Sequence, residues 1–291
     1  MKDIIVIVGP TGVGKTKMSI ELAKKIDAEI INGDSVAIYK GLDIGSAKPT
    51  IEERENIPHH LLDIKEVTED YSVFDYQKDV RNLIDEITSR DKRIIIVGGT
   101  GLYIKAALYN YTFTSGTTYN EYPNLTNEQL LNKILEYNKE EVVPHINNRK
   151  RLIRLLNKYE NNEEITHNKD ELLYPIKVIG LTTDRDYLYE RINRRVDNMI
   201  NNGLLTEINN LKKYYNNSRI LNSGIGYKEF ADMFENKKNL NDVIEQIKLD
   251  SRRYAKRQYT FFKHQFDTKW FNVNFNDFQE TINEVYKYIE D

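Results

Sequence analysis

Two hydrophobic periods alternate along the chain. Short unbroken apolar runs read as strands covered on both faces, and apolar residues three or four apart read as amphipathic helices. Ile4-Ile5-Val6-Ile7-Val8 is the first such run, and Met18, Leu22, Ala23 and Ile26 repeat at helical spacing after it. Glu29-Ile30-Ile31-Asn32 predicts a second strand, ending at Gly33-Asp34-Ser35. Residues 36–49 have no sustained period and read as an ordered loop. Pro58 to Ile64 predicts a turn and a short strand, in which the adjacent His59 and His60 point in different directions and serve as hydrogen-bonding residues of the fold, not as a zinc site. Ser72 is a good N-cap for a helix carrying Phe74, Val80, Leu83, Ile84 and Ile87. Arg93 to Val97 is another buried strand, followed by Gly98-Gly99-Thr100-Gly101 and a helix to about Leu108.

The pattern then leaves this alternation. Residues 110–122 are rich in Tyr, Thr and Asn without a period, and Leu130, Leu131, Ile134, Leu135 and Val142 predict a short amphipathic helix. From His145 to Leu156, Leu152, Leu155 and Leu156 share one helical face while Arg149, Lys150, Arg151 and Arg154 surround the rest without an acid. Solvated helix faces usually mix charge signs, so this one suits phosphates, with a plain surface helix as the alternative. Residues 161–171 are polar. Strand character returns at Tyr174 to Leu181, Asp184 caps a helix through Ile200, Gly203 interrupts it, and a further helix from Leu204 reaches about Tyr215. Ser223 to Glu229 predicts a glycine turn entering a helix. A long helix over 241–264, an edge strand at Lys269 to Phe271 and a helix over 277–289 complete the chain. The expected fold is thus α/β, a parallel sheet flanked by helices, with its core split into residues 1–109 and 175–291 by a helical insertion over 110–174.

Composition narrows the possibilities only at the margins. The 291 residues are 40% hydrophobic and 30% charged, as for a soluble globular protein. No apolar run approaches the roughly 20 residues of a membrane-spanning helix. The absence of cysteine excludes disulfides and Cys-based zinc sites and fits a cytoplasmic location. A net charge of −3 gives no global pull on nucleic acid, so any such partner must meet local basic patches.

The chemistry is concentrated where strands end. Gly9-Pro10-Thr11-Gly12-Val13-Gly14-Lys15-Thr16 lies between a strand and a helix, as a P-loop requires. Its glycines allow backbone N–H groups to turn toward a phosphate at the positive end of a helix. Lys15 adds a charge, and the Thr16 hydroxyl can ligate Mg²⁺. The loop could serve a nucleoside triphosphate or only a pyrophosphate. Asp34, at the carboxyl end of the second strand, would lie beside it as a metal ligand or general base, unless it only caps a turn. Thr100, in the second glycine-rich turn, can meet a phosphate or leaving-group oxygen. Arg191 and Arg195 are i, i+4 and so present paired guanidiniums suited to a polyanion. Residues 252–264 interleave five Lys/Arg with aromatics and contain no acid, a pattern suited to RNA, although the aromatics can equally be core.

Taken as whole strings, these segments resemble the bacterial tRNA dimethylallyltransferases. The resemblance is carried by Gly9–Thr16, Gly33-Asp34-Ser35, Tyr39 to Pro49, Pro58-His59-His60, Gly98 to Tyr103, Tyr189 to Asp197, Gly224 to Glu229 and Arg253 to Gln258, and it runs from residue 4 to about 271. It implies a P-loop NTPase-like core holding dimethylallyl diphosphate with Mg²⁺, an inserted helical domain gripping the tRNA anticodon stem-loop, and transfer of the dimethylallyl group to N6 of the adenosine 3′-adjacent to the anticodon. It implies Asp34 as the base for N6, with Lys15, Thr16, Thr100 and Arg195 stabilising the leaving diphosphate. Asp34, Ser35, Val36 and Ala37 would line the target base. Lys150, Arg151, Leu152, Ile153 and Arg154 would contact tRNA, as would Thr100 and the turn Ser223, Gly224, Ile225, Gly226, Tyr227 and Lys228. The chain departs from the family at Ala37, where many members carry Gln, and at Asn157, where Glu is usual. A monomer is expected. The rivals are an adenylate isopentenyltransferase acting on a free nucleotide, which has no use for the basic stretches, a P-loop small-molecule kinase, and an RNA-binding protein with a decayed site, against which the intact Lys15, Asp34 and Arg195 argue.

Overall fold

The computed structural model describes residues 2–111, 120–141, 146–161 and 171–291. Contacts divide the chain into a unit of residues 1–109 and 172–291 and a second unit of residues 110–171. Val142, His145 and most of the polar stretch after Asn161 lie outside the described residues.

The first unit is built on a six-stranded parallel sheet of order β3-β2-β4-β1-β5-β6. Its strands are β1 (Ile4–Val8), β2 (Ala28–Asn32), β3 (His59–His60), β4 (Arg93–Val97), β5 (Ile176–Thr182) and β6 (Thr268–Asn272). The unbroken apolar runs follow from burial on both faces. Ile4, Val6 and Val8 point into one cluster, with Ile94 and Ile96, and Ile5 and Ile7 point into the other, with Ile95. Helices α1 (Lys15–Ile26) and α10 (Phe278–Glu290) cover the second face, through Met18, Leu22, Ile282 and Val285. Helices α2 (Val73–Ser89) and α3 (Gly101–Leu108) cover the first, through Tyr76, Val80, Ile84 and Ile104. β6 is an edge strand, as its position after the long helix suggests.

Local chemistry explains most element ends. Ser72 caps α2 with a complete capping box, its hydroxyl accepting from Asp75 N–H and Asp75 accepting from Ser72 N–H. Asp184 caps α6 (Arg185–Asn201) by accepting from the N–H groups of Asp186 and Tyr187. Three expectations change. Phe74 lies in the first turn of α2, outside the buried stripe, and is exposed; the stripe begins at Tyr76. The helix α7 (Leu204–Leu211) tightens into a 3₁₀ turn over Lys212–Asn217 instead of continuing. The 223–229 turn leads only to a 3₁₀ turn (Lys228–Phe230) and the single-turn α8 (Ala231–Phe234), before α9 (Leu240–Gln265).

His59 and His60 do diverge. The Nδ1 of His59 donates to Ile57 O at 2.8 Å, and the Nε2 of His60 pairs with Glu29 Oε2 at 2.6 Å.

In the second unit, α4 (Asn127–Tyr137) and α5 (Arg149–Glu160) share a small core of Leu130, Ile134, Leu152, Ile153 and Leu156. Asn157 is buried and ties this core to the chain at Asn120, giving its amide to Asn120 O at 2.9 Å and accepting from Asn120 N at 2.7 Å. Among the described residues, no helix is long and apolar enough to cross a membrane.

Candidate active site

The carboxyl ends of β1, β2 and β4 converge, and the loops leaving them form the site. After β1, Gly9, Gly12 and Gly14 all take positive φ, a conformation costly for residues with a Cβ. The loop thereby curls around the start of α1. Val13 points away from it, fully buried in the core. After β2 and β4 the two turns are bonded together, Gly33 N to Val97 O at 2.7 Å and Thr100 N to Gly33 O at 3.0 Å.

Two cavities open here. The first, about 440 Å³, is bounded by Thr11, Gly12, Gly14, Lys15 and Thr16 of the loop, by Asp34 and Ala37, by Ser46 to Pro49, and by Arg191, Arg194 and Arg195 of α6. The second, about 280 Å³, is bounded by Ser35, Val36, Gly45, Ser223, Gly224, Ile225, Gly226 and Lys228, with an apolar side from Ile192, Val196, Met199 and Ile247. Thr11, Asp34, Ser46, Arg195 and Tyr254 line both, so the cavities meet across these residues.

The charge balance of the first cavity is uneven. Among the described residues, Asp34 is its one acidic lining residue, against Lys15, Lys48, Arg191, Arg194 and Arg195. Lys48 is paired with Asp43 and Asp63, and Arg194 with Glu190. The other three make their hydrogen bonds to neutral acceptors. Lys15 Nζ donates to Gly9 O (3.0 Å) and Pro10 O (2.9 Å), Arg191 Nε to Gly12 O (3.2 Å), and Arg195 Nη1 to Thr11 Oγ1 (3.0 Å). Arg191 also stacks on the Phe275 ring, 3.8 Å from its centroid. Burial, and then the neighbouring Arg195, lower the Lys15 pKa to about 7, with Asp34 opposing the shift. Burial lowers Arg195 as well, again against the pull of Asp34. Cations drawn out of water without matching anions make a site for a polyanion.

Asp34 is held by its own turn. Its N–H donates to Asn32 Oδ1 (3.0 Å), and its Oδ1 accepts from Val36 N–H (2.9 Å). Oδ2 receives no hydrogen bond from the described residues and is available to a ligand.

The structure brings together most of the expected residues and redirects others. The loop from Thr11 to Thr16, with Asp34, Ala37 and Arg195, surrounds the first cavity, while Ser35, Val36 and the 223–228 turn flank the second. Tyr227 is an exception, being fully buried with its hydroxyl on Glu207 Oε1 at 2.8 Å. Thr100 lines neither cavity. Its hydroxyl accepts from Ser35 N–H (3.0 Å) and donates to Ser35 Oγ (3.2 Å), so it holds the turn that carries Asp34. In the second unit, Lys150, Arg151 and Arg154 stand at the surface, whereas the side chains of Leu152 and Ile153 are buried in its core. Arg149 is also committed, to Leu125 O and Tyr122 O at 2.6 Å each.

Sequence reasoning missed Tyr254 and Gln258 as pocket residues. Gln258 Oε1 accepts from Thr11 N–H (2.9 Å), and both its Nε2 and the Tyr254 hydroxyl donate to Gly99 O (3.1 Å each). Their i, i+4 spacing inside a basic, aromatic segment was the available signal, and charge obscured it.

Comparisons with known proteins find relatives over nearly the whole chain. The family model for IPP transferase matches residues 37–265. A protein named tRNA dimethylallyltransferase from Anoxybacillus flavithermus is 45% identical, over 99% of this chain and 96% of its own. One of the same name from Bacillus cereus is 46% identical, over 99% and 95%. Among solved structures, a tRNA delta(2)-isopentenylpyrophosphate transferase from Staphylococcus epidermidis superposes with a TM-score of 0.75 at 36% identity, covering 100% of this chain and 99% of that one. A eukaryotic dimethylallyltransferase acting on tRNA gives a TM-score of 0.84 at 28% identity, covering 99% of this chain and 78% of that one.

Proposed function

Because the chain belongs to the IPP transferase family, we propose that it transfers a dimethylallyl group from dimethylallyl diphosphate to N6 of the adenosine 3′-adjacent to the anticodon of tRNA, releasing diphosphate. The observation that supports this most directly is the pair of cavities meeting at Asp34. One is rich in uncompensated cations, and the other has an apolar side and a backbone rim.

The diphosphate occupies the first cavity, on the N–H groups of the P-loop and on Lys15, Arg191 and Arg195. The target base, flipped out of the anticodon loop, enters the second cavity from the side of Ser35, Val36 and the 223–228 turn. N6 is then directed at the allylic carbon across Asp34. The N6–C bond forms as the C–O bond to diphosphate breaks. Asp34 Oδ2 takes the N6 proton, and Lys15 and Arg195 receive the negative charge that builds on the leaving group.

One side-chain hydroxyl supports Mg²⁺ here: Thr16 is exposed and lines the first cavity together with Asp34. Mg²⁺ typically takes few protein ligands and completes its shell with substrate phosphates and water. Thr16 would hold it, and it would neutralise charge on the diphosphate.

Lys150, Arg151 and Arg154 serve tRNA phosphates. The chain works in the cytoplasm, a reading supported by the tRNA that its relatives' names give and by the lack of cysteine.

The test is to incubate the protein with labelled dimethylallyl diphosphate and undermodified tRNA, with AMP as a competing acceptor. Label is expected in tRNA alone. Label in AMP alone, or phosphate transfer from ATP, would overturn the reading.

A further inference from the structure

Glu207, in the first turn of α7, lines neither cavity, yet its carboxylate accepts four hydrogen bonds. Oε2 accepts from the N–H groups of Asp43 (3.0 Å) and Ile44 (2.7 Å). Oε1 accepts from Gly45 N–H (3.1 Å) and from the Tyr227 hydroxyl (2.8 Å). Three successive backbone N–H groups turned toward one carboxylate form an anion nest, here filled by a side chain from over 160 residues away.

What this nest holds is the wall between the cavities. Gly45 lines the second cavity, and the next residue, Ser46, lines both. The Ser46 carbonyl accepts from Arg195 Nη2 at 3.5 Å. Tyr227 brings in the second wall, because it belongs to the 223–228 turn and packs directly on Gly45. A Cβ added at Gly45 would stand 2.6 Å from the Tyr227 ring. Glu207 therefore joins the loop after β2, the 223–228 turn and α7 at a single carboxylate. Charge-assisted bonds of this kind are stronger than neutral ones and fix a loop that has no regular structure of its own.

We propose that Glu207 is a positioning residue for prenyl transfer: by holding Asp43 to Gly45 it sets the Ser46 wall in register with Asp34, without touching either substrate. The proposal rests on the functional reading above for its kinetic arm only. The four bonds of the Glu207 carboxylate all go to residues outside the P-loop, while Lys15, Arg191 and Arg195 keep their own bonds to that loop, so the step that needs both cavities aligned should suffer far more than diphosphate binding.

The test compares Glu207→Ala, Glu207→Gln and Tyr227→Phe with wild type in three measurements. These are amide hydrogen exchange at residues 43–45, pyrophosphate affinity, and the single-turnover rate with saturating tRNA and donor. In Glu207→Ala, exchange at 43–45 is expected to quicken on the order of tenfold or more. The single-turnover rate should fall on the order of 10- to 100-fold, as for a misplaced catalytic wall. Pyrophosphate affinity should stay within about threefold of wild type. Glu207→Gln keeps a carbonyl oxygen for two of the N–H groups but turns an amide N–H toward Gly45 N–H, so exchange at Gly45 should quicken and the rate should fall between those of Glu207→Ala and wild type. Unchanged exchange at 43–45, an unchanged rate, or a parallel loss of pyrophosphate binding overturns the proposal. If the alanine variant does not fold, the glutamine and Tyr227→Phe variants carry the test, and wild-type exchange at Gly45 in both is the overturning result. A wild-type chain that transfers no label counts against the functional reading, while the exchange and pyrophosphate measurements still decide the anchoring.

Discussion

At Asp34 one carboxylate faces two cations drawn out of water, Lys15 and Arg195, across the junction of the two cavities. Its two oxygens have different duties. Oδ1 is fixed by Val36 N–H, which orients the group, and Oδ2 is left for the acceptor amine. Asp34→Asn keeps the shape and the first bond but cannot take a proton. Transfer to tRNA should fall by about 10²- to 10⁴-fold. Pyrophosphate affinity should hold or improve, because a negative charge beside the anion is removed. Parallel measurement of turnover and pyrophosphate binding checks this. Loss of binding in step with turnover would make Asp34 a structural or metal-holding residue instead. Thr100 shows the opposite case. Its place after a strand marks it as a site residue, but its hydroxyl is occupied by Ser35, so its contribution runs through the Asp34 turn.

Helix α5 divides into two functions along one period. Leu152, Ile153 and Leu156 bury one stripe, and Lys150, Arg151 and Arg154 face solvent on the rest. Replacing Arg151 and Arg154 together with Ala should leave the stripe, and therefore the unit's fold, intact. It should weaken tRNA binding and lower the slope of log K against log salt by up to about 2, close to one for each phosphate that is no longer neutralised. Binding titrations across salt concentrations check this, and an unchanged slope removes α5 from the interface. The sequence announces this element because its cations have no acidic neighbours. Local signals of the same kind mark the strands, the caps at Ser72 and Asp184, and the P-loop. They could not reveal Glu207, whose partners at 43–45 are distant in sequence, nor could they separate Leu152 and Ile153 from the cations around them. Contacts made by folding rather than by spacing leave little trace in a pattern.

For the molecule as a whole, a net charge of −3 hides a cavity in which cations are concentrated and desolvated. This arrangement costs stability until an anion arrives, and Lys15 makes the cost depend on pH. Its pKa in the folded chain is about 7, against the ordinary 10.5. Between these values the unfolded chain binds more protons than the folded one, so raising the pH through this window should stabilise the ligand-free protein. Below about 7 the lysine is charged in both states and the penalty is complete. Pyrophosphate reverses the balance, because an adjacent anion favours the ammonium and raises its pKa. Binding above pH 7 must therefore take up a proton, and affinity must decline as the pH rises further. At pyrophosphate concentrations of about 100 times its Kd, stabilisation should be about 2.7 kcal/mol, or roughly 5 °C in Tm for a chain of this size. Two measurements check the argument: calorimetric titration at pH 8 in buffers of different ionisation enthalpy, which reads proton uptake directly, and melting curves with and without pyrophosphate from pH 6.5 to 9. In Lys15→Met the uptake should vanish and the pH dependence of the ligand-free Tm across this window should flatten. Proton uptake that persists in that variant would assign the titration to another group and remove Lys15 as the source of the cavity's pH response.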